Sequence, residues 1–251
     1  TLDVVDTAIL KIIKEIPLTA RPNNITIGKD GHYVYVGIMG GDGGIDVIDT
    51  QKMEKADHIV SMSNVHNPYV TPDGRDLVAG AFGGSANLQV FDTATRKLKF
   101  ALYPPKNGNS GDALDGIRPI TFDTNADGST RNMYVQLSDF HGFTVVDFKS
   151  GKEVKRIELP SIPVAERVPE GTYNRAPAHG IGVAPGGLTL WVCSRLNGRV
   201  YAYSLPDLKL IAVAATGTNC VDLAACKARA PKVMVARPRR DTSRSVSPSR
   251  A

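Results

Sequence analysis

Imidazole and guanidinium groups stand at matched points of a recurring pattern: Arg21-Pro22, His66-Asn67-Pro68, Arg118-Pro119 and His179-Gly180. Two imidazoles and two guanidinium groups converging on one opening would hold an anion, or would set a general acid/base pair beside a charge clamp. Arginine suits the second role because its donors form a rigid fork that matches a carboxylate or phosphate. His66 and His179 are therefore candidate acid/base residues, and Arg21 and Arg118 candidate stabilisers of negative charge. The competing reading is that all four simply hydrogen-bond loop carbonyls where structural units meet. His141 supplies a third imidazole, so His66, His141 and His179 are candidate ligands for a divalent metal; no other cofactor is expected. Asp123, Asn125, Asp127 and Gly128 match the first half of a calcium loop, but Arg131 and Tyr134 stand at its ninth and twelfth positions, which favours a polar turn.

The elements that position these groups are written in a repeat. Short runs ending in aspartate recur as LDVVD from Leu2, IDVID from Ile45, LQVFD from Leu88 and FTVVD from Phe143, with a degenerate VYAYS from Val200; the spacings are 43, 43, 55 and 57 residues. Each period has one order: a run such as ITIG or YVTPDG, a second apolar run such as YVYVGI or DLVAGAF, a Gly- or Asn-containing loop, the aspartate-terminated run, and a fourth segment such as KLKFAL. Alternating patterning, β-branched enrichment and KDG, PDG and APGG turns all read as strands. Strands about every ten residues without intervening helices exclude a doubly wound α/β fold. Four short strands at a period in the forties predict an all-β β-propeller, because each small sheet is apolar on both faces and must be covered by its neighbours.

The segments RPNNITIGKDGHYVYVGI with GGIDVIDT, HNPYVTPDGRDLVAGAF with ANLQVFDT, and IRPITF with RNMYVQL and GFTVVDFKSGKEV resemble the YVTN-repeat, or surface-layer-type, β-propellers over residues 1 to about 215. That resemblance implies the fold and, by analogy, a periplasmic or secreted setting. It says little about activity, since such repeats serve binding proteins, lyases, lactone hydrolases and oxidoreductases. Four units are nearly complete, at 21–63, 66–103, 118–159 and 178–214. If CVDLAA and PKVMVAR supplied two further strands, the ring would close with five blades, one shared between the termini; otherwise the chain is a fragment of a larger propeller whose open edge favours self-association.

Composition bounds the rest. With 251 residues, 42% of them hydrophobic, and 24 Gly and 16 Pro, the chain is long enough for one large turn-rich domain, expected over 1–236. The net charge of +5 is concentrated in 237–251, where five arginines face one aspartate; this basic tail is expected to be disordered, and with no aromatic residue among its arginines it carries no specific nucleic-acid signal. No run of 18 apolar residues predicts a membrane span, and no signal peptide is visible in the chain. Cys220 and Cys226 would close a small loop in an oxidising compartment. GxSxG, GxGxxG, the Walker loop, HExxH and CxxCH are all missing, so none of those chemistries is announced, and Ser110 has no identifiable base. His32 and His58 read as surface or turn residues, and Trp191 with Tyr33, Tyr35, Tyr134, Tyr201 and Tyr203 as packing between blades.

Loops before each first strand and between second and third strands fall on one rim. They bring Asp42, Asp139, Arg195 and Arg199 there, with lengthened connections at 104–116, holding Asp112 and Asp115, and at 160–177, holding Glu166, Arg167, Glu170, Tyr173 and Arg175. The expected function is a ligand- or protein-binding scaffold taking a small anionic ligand or a protein at this rim. The alternative is a hydrolase or lyase acting on an ester or carboxylate-bearing substrate, with the rim histidines as acid and base.

Overall fold

The computed structural model describes residues 1–61, 64–81, 88–102, 116–169 and 175–214. These hold eighteen strands in five antiparallel sheets. A two-stranded sheet pairs β1 (Leu2–Asp6) with β2 (Lys11–Ile16). Four four-stranded sheets follow, each a simple meander. The first is β3 (Pro22–Ile27), β4 (Tyr33–Ile38), β5 (Gly44–Asp49) and β6 (Glu54–Ile59). The second is β7 (Val65–Val70), β8 (Asp76–Ala81), β9 (Leu88–Asp92) and β10 (Leu98–Leu102). The third is β11 (Ile117–Thr124), β12 (Thr130–Leu137), β13 (Gly142–Asp147) and β14 (Lys152–Glu158). The fourth is β15 (Ala178–Val183), β16 (Thr189–Ser194), β17 (Arg199–Ser204) and β18 (Leu210–Ala214). This is the all-β, blade-by-blade arrangement of a β-propeller, and the described arc is open.

The repeat motifs acquire physical reasons. The aspartate that ends the third strand in the first three four-stranded sheets caps the following turn, its Oδ1 accepting backbone N–H groups: Lys52 at 2.9 Å for Asp49, Thr95 at 2.7 Å for Asp92 and Ser150 at 2.8 Å for Asp147. Backbone bonds at Asp49, backbone and hydroxyl bonds from Thr95 at Asp92, and the Ser150 hydroxyl and backbone at Asp147 hold the three carboxyls below the ordinary carboxylate range. The turns between first and second strands also share one geometry, with Gly31, Gly74, Gly128 and Gly187 each donating to the carbonyl three residues back. Gly74 takes φ +80°, a left-handed conformation in which a side chain is strained.

Period-2 alternation then gives each sheet two apolar faces. In β12, Met133 and Val135 pack toward the second sheet with Val78, Val90 and Ile120, while Tyr134 between them packs toward the fourth sheet with Phe143, Leu190, Val192 and Tyr203. A third layer, with Tyr35, Val47, Val65, Leu77 and Phe91, joins the first and second sheets. Ile16, Val36, Ile38 and Ile48 form a fourth layer beneath the two-stranded sheet. Each fully buried aliphatic side chain in these layers contributes roughly 1.5–3 kcal/mol. The layers thin where sheets converge: a Cβ on Gly80 would fall 2.4 Å from Ile117 Cγ2, so only glycine admits this approach.

Cover is incomplete at both ends of the arc. Ile25 and Ile27 on β3 are 56% and 57% exposed, and β1 pairs with β2 alone among the described residues. At the other end Trp191 is 43% exposed, which corrects the expectation that it packs between blades. The five tyrosines named with it are buried or half-buried. The proposed closing strands at 220–225 and 231–237, the basic tail, Cys220 and Cys226, Ser110, Asp112, Asp115, Glu170 and Tyr173 lie outside the described residues. No helix among the described residues is long and apolar enough to cross a membrane.

Candidate functional site

Strand register decides which candidate residues share a position. Pro22, Val65, Ile117 and Ala178 each pair with the last residue of the following strand, namely Ile38, Ala81, Leu137 and Ser194. The next residues, Asn23, His66, Arg118 and His179, therefore occupy equivalent places, and a register irregularity follows in every case. Arg21 sits one residue before β3, exposed, with its carbonyl accepting from Met39 N–H at 2.8 Å. Three of the four sequence candidates thus stand in register, and Asn23 takes the place assigned to Arg21.

His66, Arg118 and His179 feel one another electrostatically. Arg118 is 6% exposed and donates from Nε to Ser138 Oγ at 2.9 Å. Burial lowers its pKa, Asp139 opposes that shift, and Arg175 and Arg195 add to it. Burial and the Arg118 charge together hold His66 below the ordinary histidine value, against a smaller opposing effect of the Ile117 carbonyl. His179 is lowered the same way, by burial first, then by Arg118, Arg195 and His66. Both imidazoles are consequently neutral at pH 7. His66 Nδ1 lies 2.7 Å from Asn67 Nδ2 and 3.2 Å from the Ile117 carbonyl. In the neutral ring Nδ1 accepts from Asn67 and Nε2 bears the hydrogen; a protonated ring can donate Nδ1–H to Ile117 instead.

The surrounding loop groups were named in the sequence as rim residues, and two of them form the wall. Arg175 donates from Nε to Asp139 Oδ2 at 2.9 Å and also from Nη2, while Asp139 N–H donates to the Arg175 carbonyl at 2.8 Å. Arg199 pairs with Glu166 at 2.8 Å. Among the described residues, the charges that act on Arg118 are those of one carboxylate, Asp139, and two further guanidinium groups, Arg175 and Arg195.

His141 belongs elsewhere. Its Nε2 lies 2.7 Å from Ser194 Oγ, between the third and fourth sheets, and burial with the Arg167 charge brings its pKa to about 4. Among the described residues no group of three or more His, Cys, Asp or Glu side chains is placed to hold a metal ion, so His66, His141 and His179 do not form a ligand set. In the calcium-like loop only Asp123 is turned inward; Asn125, Asp127 and Gly128 are exposed. Asp123 is 3% exposed and accepts from Tyr134 OH at 2.6 Å, Asn132 N–H at 2.9 Å and the Arg131 guanidinium.

A buried polar position that the sequence reading missed ties the blades together. Asp46 is fully buried; it accepts from Thr19 N–H at 2.7 Å and Thr19 Oγ1 at 2.6 Å, and pairs with His58 Nδ1 at 2.7 Å. Burial alone would raise its pKa, but the Thr19 and His58 bonds outweigh that and lower it. His58 is thereby corrected from a surface residue to the partner of a buried carboxylate. Gln89 repeats the arrangement one blade on, accepting from Ser61 Oγ at 2.7 Å. His32 stacks on Tyr33 at 4.2 Å and lies 3.5 Å from Asp49.

Fold and site together define a β-propeller-type scaffold with a positively charged, imidazole-bearing rim cluster. No family model matches the chain, and no curated protein does. Among solved structures it is similar to the hydrazine synthase of Kuenenia stuttgartiensis, at TM-score 0.62 and 23% identity over 81% of this chain and 58% of that one. It is also similar to the dihydro-heme d1 dehydrogenase NirN in complex with DHE, at TM-score 0.60 and 17% identity over 86% of this chain and 41% of that one. Both likenesses concern the fold, and the chain spans less than two thirds of either protein.

Proposed function

We propose that the rim binds a carboxylate-bearing ligand between His66, Arg118 and His179, and that the two imidazoles exchange protons with it. The observation that carries this reading is the placement of the three groups at one ladder position of successive blades, where burial and positive charge keep both imidazoles neutral. A neutral imidazole beside a fixed guanidinium has what a general base needs: an available lone pair and a partner for the negative charge that proton removal leaves. This favours the hydrolase or lyase class over a passive scaffold. A modified heme is the first ligand to try, because hemes bear carboxylates and a fold neighbour is named for a dihydro-heme.

The test is a spectroscopic titration of the full chain with iron protoporphyrin IX, repeated with citrate as a competing carboxylate. Saturable heme binding, weakened about tenfold or more in Arg118→Gln and His179→Ala, supports the site. Equal binding by both variants, with their folds intact, overturns it. For any turnover found, the acid limb of kcat/KM should lie below the ordinary histidine value, since the base form persists to lower pH. Location outside the cytoplasm is proposed on the repeat resemblance, and cell fractionation of the native protein tests it.

A further inference from the structure

The opposite rim offers a second site, independent of the first. There the β3–β4, β7–β8 and β9–β10 turns surround a cavity of about 430 Å³, whose lining includes Lys29, Asp30, Tyr33, Tyr35, Asp73 and Thr93. Tyr35 is only 2% exposed, yet its hydroxyl has no hydrogen-bond partner among the described residues. That oxygen is absent from the polar atoms sealed inside the protein without a partner, so it meets the cavity. A phenol that reaches the floor of a cleft and has no bond to the protein is free to donate to whatever fills that cleft, solvent or ligand. Burial raises the phenol pKa, which keeps it a donor.

The walls complete a mixed set of fixed donors and acceptors. Asp30 is held through Oδ1 by His32 N–H at 3.0 Å, and Asp73 through Oδ1 by Thr71 Oγ1 at 2.7 Å and Arg75 N–H at 3.2 Å. Each carboxylate is thus anchored through one oxygen, and both residues line the cavity. The Lys29 stem lies over Gly74, where an added Cβ would come within 2.9 Å of it, and Lys29 is among the residues that line the cavity. Stacking is not on offer: one face of Tyr33 carries His32 at 4.2 Å, and Arg96, itself paired with Asp57 at 2.7 Å, lies 5.0 Å over the ring. Recognition there must come from hydrogen bonds. Charges of both signs disfavour a simple ion, whereas hydroxyl groups donate to carboxylates and accept from a phenol and an ammonium alike.

We propose that this cavity binds a small, neutral, polyhydroxylated ligand of the sugar class, with Tyr35 at its floor and Asp30, Asp73 and Lys29 at its mouth. Its volume lies within the ordinary range for small-molecule sites. The test is saturation-transfer NMR with calorimetry on the full chain, using D-glucose, D-galactose, N-acetylglucosamine and maltose as probes. Saturable binding of at least one sugar is expected, weakened about fivefold or more by Tyr35→Phe and by Asp73→Asn. Asp73 lies at a partly exposed turn, so its variant keeps the test open if Tyr35→Phe disturbs the core. His179→Ala should leave sugar binding unchanged, which separates this site from the heme-side reading. No saturable binding of any probe, or equal affinity in both cavity variants, overturns the proposal.

Discussion

Replacing Asp46 by asparagine isolates the chemistry of the buried tie between blades, because the two side chains have nearly the same shape and no cavity is made. The carboxylate accepts from Thr19 twice and pairs with His58. Asparagine keeps one acceptor oxygen. If that oxygen serves Thr19 Oγ1 and His58, the new amide faces Thr19 N–H and leaves donors opposed in a fully buried place. An unsatisfied buried donor costs about 1–3 kcal/mol, and loss of charge assistance in the remaining bonds adds to it, so a total of about 3 kcal/mol is expected. For a chain of this size that corresponds to a fall in Tm of roughly 6–12 °C at pH 7. Acid dependence gives a second readout. The folded pKa of Asp46 is lowered, so its stabilisation is present above the unfolded carboxylate value and is lost as pH falls through the folded one. Urea melts from pH 7 to pH 3 should therefore bring wild type and Asp46→Asn together toward the acid end. A variant within about 0.5 kcal/mol of wild type at pH 7 would refute the reasoning, since that is the scatter of ordinary surface substitutions.

Three further outcomes follow from the same geometry. Tyr134→Phe, which deletes one bond to the Asp123 carboxylate, should cost about 1.5 kcal/mol in urea melts, and millimolar calcium should leave the Tm of the wild type unchanged because Asp123 is already engaged. Gly142→Ala would set a Cβ 2.1 Å from the Ile157 carbonyl and should destabilise by about 2–3 kcal/mol, whereas Gly182→Ala meets nothing within 4 Å and should be neutral by the same assay. The bare edge of β1 and the exposed Ile25 and Ile27 should give concentration-dependent self-association in sedimentation velocity, reduced by Ile27→Lys; a monomer at all concentrations would dismiss that edge as an interface.

Blade boundaries were legible because each carries its own local signal. An aspartate that caps a turn, and a glycine four residues past the first strand, act on their immediate neighbours, so Asp49, Asp92 and Asp147 could be read without knowing the fold. The candidate site was legible where the sequence motif and the ladder agree. His66, Arg118 and His179 each follow the residue that opens the first-strand ladder, whereas Arg21 precedes Pro22, the opening residue of its own ladder, so Asn23 takes the matching place. The Asp46–His58–Thr19 tie was hidden because its partners come from three elements up to 39 residues apart, and alternation shows only that Asp46 interrupts an apolar run. At Asp123 the half-match to a cation loop was already broken in the sequence by Arg131 and Tyr134, and these two residues of the following strand are the partners that claim its carboxylate.

The shared ladder position of Asn23, His66, Arg118 and His179 carries a consequence for how such a protein changes over time. The apolar layers that hold successive sheets together are built from other residues, chiefly on the second and third strands. Each sheet thus contributes one interchangeable substituent whose exchange leaves the load of cohesion elsewhere. A lineage can swap an amide for an imidazole or a guanidinium, one unit at a time, without altering the apolar layers themselves.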